Sequence, residues 1–250
     1  MAQPRTILIT GASGGLGAAL ARAHARPGAT LLLWGRDARR LAETAAACAG
    51  LGAVCETQAF DIRDFALQVE KLAAADAAYA IDLAIFNAGL GGMPDKAFAE
   101  APQDSQATAE VNFVAPIAAA NLIASAMAAR RRGRIVLVGS IAESFPLPMA
   151  PTYAATKAGL AMFAEALSIR MAKYGVGVTL VSPGFIDTAM SRQVPPPKPF
   201  LMTADDAARA IARGIARGKR RIVVPWQFAV IRGFARLLPR AWLAAILSRA

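Results

Sequence analysis

Tyr153 and Lys157 are the pair of side chains in this 250-residue sequence whose types and spacing best suit proton transfer. They lie four residues apart, so they share one face of a helix if the segment is helical. A phenol with a pKa of about 10 is a weak acid–base catalyst at neutral pH. A lysine ammonium at about 4 Å favours the phenolate by a few kcal/mol at an effective dielectric of about 20. The spacing thus favours a tyrosine used in acid–base catalysis, although such pairs are often ordinary helix surface.

A glycine-rich segment at residues 10–17, TGASGGLG, stands between a predicted strand and a predicted helix. Glycines allow a sharp turn and let backbone N–H groups approach a pyrophosphate, and the positive end of the helix adds attraction. The alternative is a plain strand-to-helix turn, but the flanking strand and helix favour a dinucleotide site.

The end of the second predicted strand bears on which dinucleotide is bound. NAD-binding proteins commonly have a carboxylate there that bonds the ribose hydroxyls, whereas this sequence has Gly35 followed by Arg36. Arg36 could hold a 2′-phosphate bidentately, with Arg39 or Arg40 assisting. We therefore expect NADP(H) rather than NAD(H), the alternative being a solvated arginine at the start of a helix.

Strand-like apolar runs alternate with segments of helical period along most of the chain. Strands are predicted at residues 6–10, 30–34, 53–58, 81–86, 134–138, 176–181 and 221–224. Helices are predicted at residues 15–26, 37–49, 64–75, 105–131 and 153–174, with a further one capped by Thr203. The pattern predicts an α/β fold of the Rossmann type, a doubly wound, mostly parallel seven-stranded sheet with helices on both faces. Ligands bind such sheets beyond the carboxyl ends of the strands.

With these elements in order, the sequence resembles the short-chain dehydrogenase/reductase family from residue 6 to about residue 225. The matching motifs are TGASGGLG at 10–17, Asp61, Asn87-Ala88-Gly89, Asn112, Ser140, Tyr153-x-x-x-Lys157, and Pro183-Gly184 followed by Thr188. Two positions depart from the family pattern. Phe86 stands where the family often has a second asparagine, and Glu143 closely follows Ser140. We expect Glu143 to face solvent rather than bind a polar group of the substrate.

The resemblance implies four catalytic residues. Tyr153 is implied as general acid in reduction or base in oxidation, and Lys157 as the residue that holds ribose hydroxyls and lowers the pKa of the tyrosine. Ser140 is implied to orient the carbonyl, and Asn112 to support a water-linked proton relay. The resemblance also implies a cofactor site made of Gly11, Ser13, Gly14, Gly15, Leu16, Gly17, Arg36, Asp61, Ile62, Asn87, Ala88, Gly89, Tyr153, Lys157, Pro183, Gly184, Ile186 and Thr188.

Basic charge is concentrated at the C-terminal end of the chain. The formal net charge is +11, and the eight basic residues from Arg217 onward, without any acidic residue, leave +3 for the first 216 residues. We interpret residues 1–225 as one dinucleotide-binding and catalytic domain and residues 226–250 as its basic, amphipathic extension. Three uses of the extension are open: binding to a membrane surface, packing in a homodimer or homotetramer, and a lid over an apolar site.

Several other classes of protein are disfavoured. Cys48 and Cys55 lack metal-ligand spacing and His24 is the single histidine, so no metal site is expected. The apolar run 111–129 contains Asn112 and Pro116, which favours a buried or interface helix over a membrane span. The first ten residues have no secretory pattern. The basic residues near the C-terminal end accompany aliphatic residues, which argues against nucleic-acid binding. We expect a cytoplasmic location, or a peripheral one at the inner face of a membrane.

The expected activity is hydride transfer between NADP(H) and a ketone or secondary alcohol, of a lipophilic kind. A 3-oxoacyl reductase is the alternative enzyme, and the cluster at residues 130–132 would then dock an acidic carrier unless it only ends a helix. A cofactor-binding interaction protein without turnover is the alternative from another class. The loops at 90–104, 141–152 and 185–202 carry no code from which the substrate can be read.

Overall fold

The computed structural model describes residues 4–91 and 100–235. The first half contains β1 (Thr6–Thr10), α1 (Gly15–His24), β2 (Thr30–Gly35), α2 (Ala38–Ala49), β3 (Val54–Ala59), α3 (Phe65–Tyr79), β4 (Leu83–Phe86), α4 (Pro102–Ala109), a π-helical turn (Glu110–Val114) and α5 (Ala115–Ala129). The second half contains β5 (Arg134–Val138), a 3₁₀ turn (Ile141–Ser144), α6 (Pro151–Ala172), β6 (Gly177–Pro183), β7 (Ile186–Asp187), α7 (Ala189–Arg192), β8 (Met202–Thr203), α8 (Ala204–Ala216), β9 (Arg221–Val224) and α9 (Gln227–Ala235).

Seven strands form one sheet in the order β3-β2-β1-β4-β5-β6-β9, and every neighbouring pair is parallel. The order reverses beside β1, since the chain moves outward through β2 and β3 and then returns to β4 on the other side. The predicted Rossmann-type fold is confirmed. A crevice is expected at this reversal, between the carboxyl ends of β1 and β4.

Helices cover both faces of the sheet, and successive strand residues point to opposite faces. Leu8 belongs to the apolar core that also contains Ile123 of α5. Its neighbours Ile7 and Ile9 belong to the opposite core, together with Leu20 of α1. All five side chains are fully buried, so the sheet is enclosed and its strands read as continuous apolar runs in the sequence.

The predicted helix at residues 105–131 forms as α4, the π-helical turn and α5 in continuous succession. Pro116 has no N–H group, so it cannot donate to the carbonyl of Asn112 four residues earlier, and the regular ladder is interrupted at this turn. Within the described residues, Pro102–Ala129 is the one helix long and apolar enough to cross a membrane, and half of its apolar window is buried within the chain. Ile123 and Met127 are fully buried, in agreement with the buried-helix prediction.

Two features near the C-terminal end complete the described fold, and the first of them was not predicted. Ile186–Asp187 and Met202–Thr203 pair in parallel, which draws together the ends of the proline-rich loop between them. Gln227–Ala235 form α9, whose buried Phe228 contacts Phe185 and Phe200. The remainder of the predicted extension, residues 236–250, lies outside the described residues, as do residues 92–99 of the first substrate loop.

Candidate active site

The glycine-rich loop joins β1 to α1 at the reversal of strand order. Gly11 and Gly15 have φ angles of +68° and +53°, which favour glycine, and a Cβ on Gly11 would lie 2.8 Å from the Cα of Ala88. A Cβ on Gly17 would lie 2.1 Å from the carbonyl oxygen of Gly11, so α1 is packed directly against the loop. The result is a backbone cradle at the N-terminus of a helix, an arrangement that fits the pyrophosphate of a dinucleotide.

Thr10 and Asn87 connect the carboxyl ends of β1 and β4. The Thr10 hydroxyl oxygen accepts hydrogen bonds from the backbone N–H groups of Asn87 and Ala88, at 3.0 and 3.1 Å. The Asn87 amide nitrogen donates back to the Thr10 carbonyl at 3.1 Å. These bonds fix the floor of the crevice beneath the glycine-rich loop.

Asn112 lies in the π-helical turn, and its side chain forms hydrogen bonds with the backbone of the loop after β4. Its amide nitrogen donates to the Leu90 carbonyl at 2.8 Å, and its oxygen accepts from the Leu90 N–H at 2.7 Å. The residue is 1% exposed. Both polar atoms of Asn112 therefore hold the wall beside Gly89 in place, and its implied role in a proton relay stays a prediction.

Ser140, Tyr153 and Lys157 converge on the cavity below this wall. Ser140 caps the 3₁₀ turn, where its hydroxyl oxygen accepts from the Ala142 N–H at 3.1 Å. Tyr153 lies in the first turn of α6, and Lys157 one turn later donates from Nζ to the Val138 carbonyl at 3.0 Å. The Lys157 Nζ lies 5.7 Å from the centroid of the Tyr153 ring. The predicted pair thus shares one helical face.

Burial is the main influence on both titrating groups. It raises the pKa of Tyr153 above the ordinary value, and a hydrogen bond with the Ser140 hydroxyl offsets part of that rise. The expected lowering of the tyrosine pKa by Lys157 is not found in the chain alone, because burial dominates and the ammonium is directed to Val138. Burial also lowers the pKa of Lys157 to about 8, against an opposing effect of Glu143.

The opposite end of the cavity contains the predicted phosphate-binding arginines. Arg36 and Arg40 both line it. Arg39 instead pairs with Glu43 at 2.5 Å on the outer side of α2, which leaves Arg40 as the residue beside Arg36. Asp61 pairs with Arg63 at 2.6 Å, and the hydrogen bond from Arg63 lowers the pKa of that carboxyl group.

One cavity of about 610 Å³ contains both ends of the site. Every predicted site residue lines it except Gly17 and Asn112. These two residues contact the lining residues Gly11 and Leu90 from behind. A second cavity, of about 690 Å³, lies at the amino ends of the strands, and none of the predicted site residues lines it. Sequence reasoning missed the apolar walls, because they come from loops and short helical segments without a recognisable pattern: Leu90, Val111, Phe145, Leu147, Met149, Phe185, Met190 and Val194.

The prediction that Glu143 faces solvent is wrong. Its side chain is 3% exposed, forms an ion pair with Arg221 and accepts a hydrogen bond from the Ser182 hydroxyl at 2.9 Å. It does not line the cavity, so direct binding of substrate is not its role either. Arg221 lies 78 residues further along the chain, and a contact of that separation leaves no local signal in the sequence.

Other titrating groups lie away from the cavity. His24 is buried in α1, and burial lowers its pKa to about 4. Burial raises the pKa of the free Cys48 thiol to about 11, which works against a nucleophilic thiol. Among residues 4–91 and 100–235 there is no group of three His, Cys, Asp or Glu side chains able to hold a metal ion.

The fold and the cavity together define a class. The parallel sheet reverses its strand order beside a glycine-rich cradle, and a Ser–Tyr–Lys set lines the same cavity; both are features of a nucleotide-dependent oxidoreductase. The family model described as short chain dehydrogenase matches residues 5–199. The chain belongs to the short-chain dehydrogenase/reductase family of oxidoreductases.

Individual relatives agree with this assignment. An uncharacterized oxidoreductase of Myxococcus xanthus is 33% identical over 237 residues, covering 94% of this chain and 93% of the relative. The ketoacyl reductase HetN of a Nostoc species is 31% identical over 229 residues, covering 88% and 78%. Among solved structures, a short-chain dehydrogenase from Sphingobium yanoikuyae in complex with NADPH has a TM-score of 0.82 at 26% identity, covering 92% and 93%.

Proposed function

We propose that this chain transfers a hydride between NADP(H) and a lipophilic ketone or secondary alcohol, with Tyr153 as the general acid–base. The observation that carries the proposal is the continuous cavity that joins the glycine-rich cradle to Ser140, Tyr153 and Lys157. Its walls are largely apolar, as a lipophilic substrate requires. Localisation in the cytoplasm and assembly as a homodimer or homotetramer belong to the same proposal.

NADP(H), when bound, supplies or accepts the hydride. In reduction, the Tyr153 hydroxyl gives its proton to the carbonyl oxygen, so carbon gains the hydride, oxygen gains the proton and a secondary alcohol results. The Ser140 hydroxyl donates a hydrogen bond to the same oxygen and orients it. Lys157 binds ribose hydroxyls and stabilises the negative charge left on Tyr153. Asn112 holds the Leu90 wall and supports a water-linked relay that returns the proton.

The preference for NADP(H) over NAD(H) is supported by two arginines. Arg36 and Arg40 line the end of the cavity near β2, and no carboxylate occupies position 35. The relative from Sphingobium yanoikuyae is a complex with NADPH. Guanidinium groups recognise a phosphate bidentately, which a ribose hydroxyl cannot match.

Reduction of 3-oxoacyl groups is the second candidate. The relative from Nostoc is named a ketoacyl reductase, and so are two polyketide-synthase relatives of Streptomyces species. The basic cluster at residues 130–132, predicted as a possible dock for an acidic carrier, is partly engaged within the chain, since Arg130 forms an ion pair with the largely buried Asp76 at 2.7 Å. That contact favours the structural role for Arg130 and the free lipophilic ketone as substrate.

A substrate panel tests the proposal. Purified protein is incubated with NADPH and, separately, a steroid ketone, a long-chain 3-oxo ester, a 3-oxoacyl thioester and pyruvate, and NADPH consumption is followed. We expect turnover of the two lipophilic ketones and none of pyruvate, since the walls offer pyruvate no apolar match. Preference for the thioester would favour the second candidate. Inertness toward every ketone, with NADPH still bound, would favour the cofactor-binding protein without turnover.

Membrane association through the C-terminal extension stays a separate proposal. Trp226 and Phe234 are 68% and 66% exposed at the two ends of α9, and basic residues surround them in the sequence. We expect the double variant Trp226→Ser/Phe234→Ser to co-sediment less with vesicles containing phosphatidylglycerol. The control is Val54→Ser, which removes a side chain of similar exposure from β3. If wild type, the double variant and Val54→Ser bind to the vesicles in equal fractions, the proposal is contradicted.

A further inference from the structure

Glu143 is a buried carboxylate directly behind the catalytic wall. It lies in the 3₁₀ turn that Ser140 caps, and Arg221 at the start of β9 and the Ser182 hydroxyl in β6 both bind its Oε1 atom. Its Oε2 atom is buried and has no hydrogen-bond partner among the described residues. A carboxylate in such a place costs free energy unless nearby positive charge compensates it.

The free oxygen of Glu143 is directed toward the peptide segment that binds Lys157. A Cβ on Gly139 would lie 2.9 Å from Oε2, so the carboxylate packs against Gly139. The preceding residue, Val138, accepts the hydrogen bond from the Lys157 ammonium. Carboxylate and ammonium therefore lie against adjacent residues of the chain, Gly139 and Val138, in surroundings from which water is largely excluded.

The chemistry of the site explains why such a carboxylate is useful. The proposed reaction needs Lys157 charged, yet burial lowers its pKa to about 8, close to working pH. Glu143 acts in the opposite direction and raises the pKa of Lys157. Burial raises the pKa of Glu143 itself, while Arg221, Ser182 and Arg232 act to keep the carboxyl group ionised.

We propose that Glu143 is a positioning residue of this enzyme: its buried carboxylate keeps Lys157 cationic and ties the turn that begins at Ser140 to β9. The inference rests on the proposed function, in which Lys157 works as a cation. The titratable and charged groups that face the pair in the described part of the chain are Tyr153 on α6, Arg221 on β9 and Arg232 on α9. Neither arginine can take over the effect of Glu143 on Lys157, because both are cations.

A titration of Lys157 without any nicotinamide cofactor tests this directly. The chain has six lysines, so lysine labelled with ¹³C at the ε-carbon gives few NMR signals, and Lys157→Met identifies the relevant one. We expect Glu143→Gln to lower the titration midpoint of Lys157 by about one pH unit. Glu143→Asp retains the charge and should restore most of the shift. An unchanged midpoint in a folded Glu143→Gln protein would overturn the inference.

Two further variants control the experiment. Asp76→Asn breaks another ion pair, the largely buried one with Arg130 away from the site, and should leave the Lys157 midpoint unchanged. The double variant Glu143→Gln/Arg221→Met removes the buried ion pair as a unit, so neither charge is left unpaired if Glu143→Gln alone fails to fold. Its Lys157 midpoint should fall as in Glu143→Gln, because Glu143 is the charge that acts on Lys157, and an unchanged midpoint would contradict the inference. In the active enzyme, the alkaline limb of kcat/KM should move to lower pH in Glu143→Gln. Because the titration needs no turnover, its failure is distinguishable from failure of the proposed function.

Discussion

At the scale of single residues, the Lys157 ammonium is the group of the site whose burial costs most free energy. An ammonium loses hydration when it is buried, and Lys157 is only 4% exposed. One hydrogen bond to Val138 and the nearby Glu143 compensate part of this loss. Tyr153 is affected in the same way, since burial favours its neutral phenol and keeps a proton ready for transfer. Burial therefore keeps Tyr153 protonated, as the proposed reduction requires, whereas the charge on Lys157 depends on the groups that oppose burial.

Arg36 provides a residue-scale prediction about cofactor choice. Arg36→Ala should raise the KM for NADPH by about 10- to 100-fold, because a charge-assisted contact contributes about 1.5–3 kcal/mol. The KM for NADH should change little, since NADH has no 2′-phosphate. Steady-state kinetics with both cofactors measures the difference.

Arg39→Ala is the matched control, because Arg39 lies in the same helix but pairs with Glu43 outside the cavity. It should leave both KM values unchanged. If Arg36→Ala raised the KM for NADPH and for NADH equally, or if Arg39→Ala raised the KM for NADPH as much as Arg36→Ala does, Arg36 would not be the residue that recognises the phosphate.

The limits of prediction from the sequence are clear at this scale. Local spacing predicted that Tyr153 and Lys157 share a helical face and that the glycine-rich loop follows a strand, since helix geometry and strand ends determine where such residues lie. Their interpretation as a site came from the other motifs of the family that accompany them in order. Glu143 was misjudged because its environment depends on Arg221 and Ser182, which only the fold brings near. The choice between Arg39 and Arg40 also required the actual orientation of α2.

At the scale of elements, the junction of β1 and α1 combines binding with stability. Gly17 has no space for a side chain, whereas a Cβ on Gly14 would meet nothing within 4 Å. The same loop is held to β4 by Thr10 and Asn87. The cradle is therefore rigid for reasons of packing, before any ligand binds.

Gly17→Ala should lower the free energy of unfolding by about 3 kcal/mol, the upper end for an overpacked site, because the new Cβ collides with the Gly11 carbonyl. Gly14→Ala should change it by less than about 0.5 kcal/mol. Urea denaturation of both variants measures these values. Equal stability of the two variants would contradict the packing explanation of Gly17.

Elements with strong patterns were predictable and short, non-local ones were not. Apolar runs located all seven strands of the large sheet to within about two residues. The parallel pairing of Ile186–Asp187 with Met202–Thr203 joins two-residue segments across a loop, and no periodicity can arise in so short a stretch. The π-helical turn follows from Pro116, whose missing N–H group is visible in the sequence although its consequence was not predicted.

At the scale of the whole molecule, two apolar cores enclose the sheet, and the single histidine of the sequence, His24, is buried in α1. His24 is 8% exposed, and its buried Nε2 has no hydrogen-bond partner in the described residues. Burial is the main cause that lowers its pKa to about 4. The native protein thus resists protonating the one imidazole that an unfolded chain protonates near pH 6.5.

This difference predicts how stability depends on pH. Below about pH 6.5 the unfolded state binds a proton that the native state does not, so the free energy of unfolding falls as pH falls toward 4. The contribution of His24 to that loss should reach about 2.5 kcal/mol at a pH of about 4.5. Urea denaturation at pH 7 and at the lower pH, for wild type and His24→Gln, isolates it. The same pH dependence in both proteins would show that His24 is not responsible.

The central claim is that Tyr153 transfers the proton, and Tyr153→Phe tests it most directly. The variant keeps the ring but loses the hydroxyl, so kcat for the best ketone of the panel should fall by at least about 100-fold. The Kd for NADPH should stay within about twofold of wild type. Tyr174→Phe, a tyrosine that does not line the cavity, should retain full activity. Wild-type kcat in Tyr153→Phe would contradict the account.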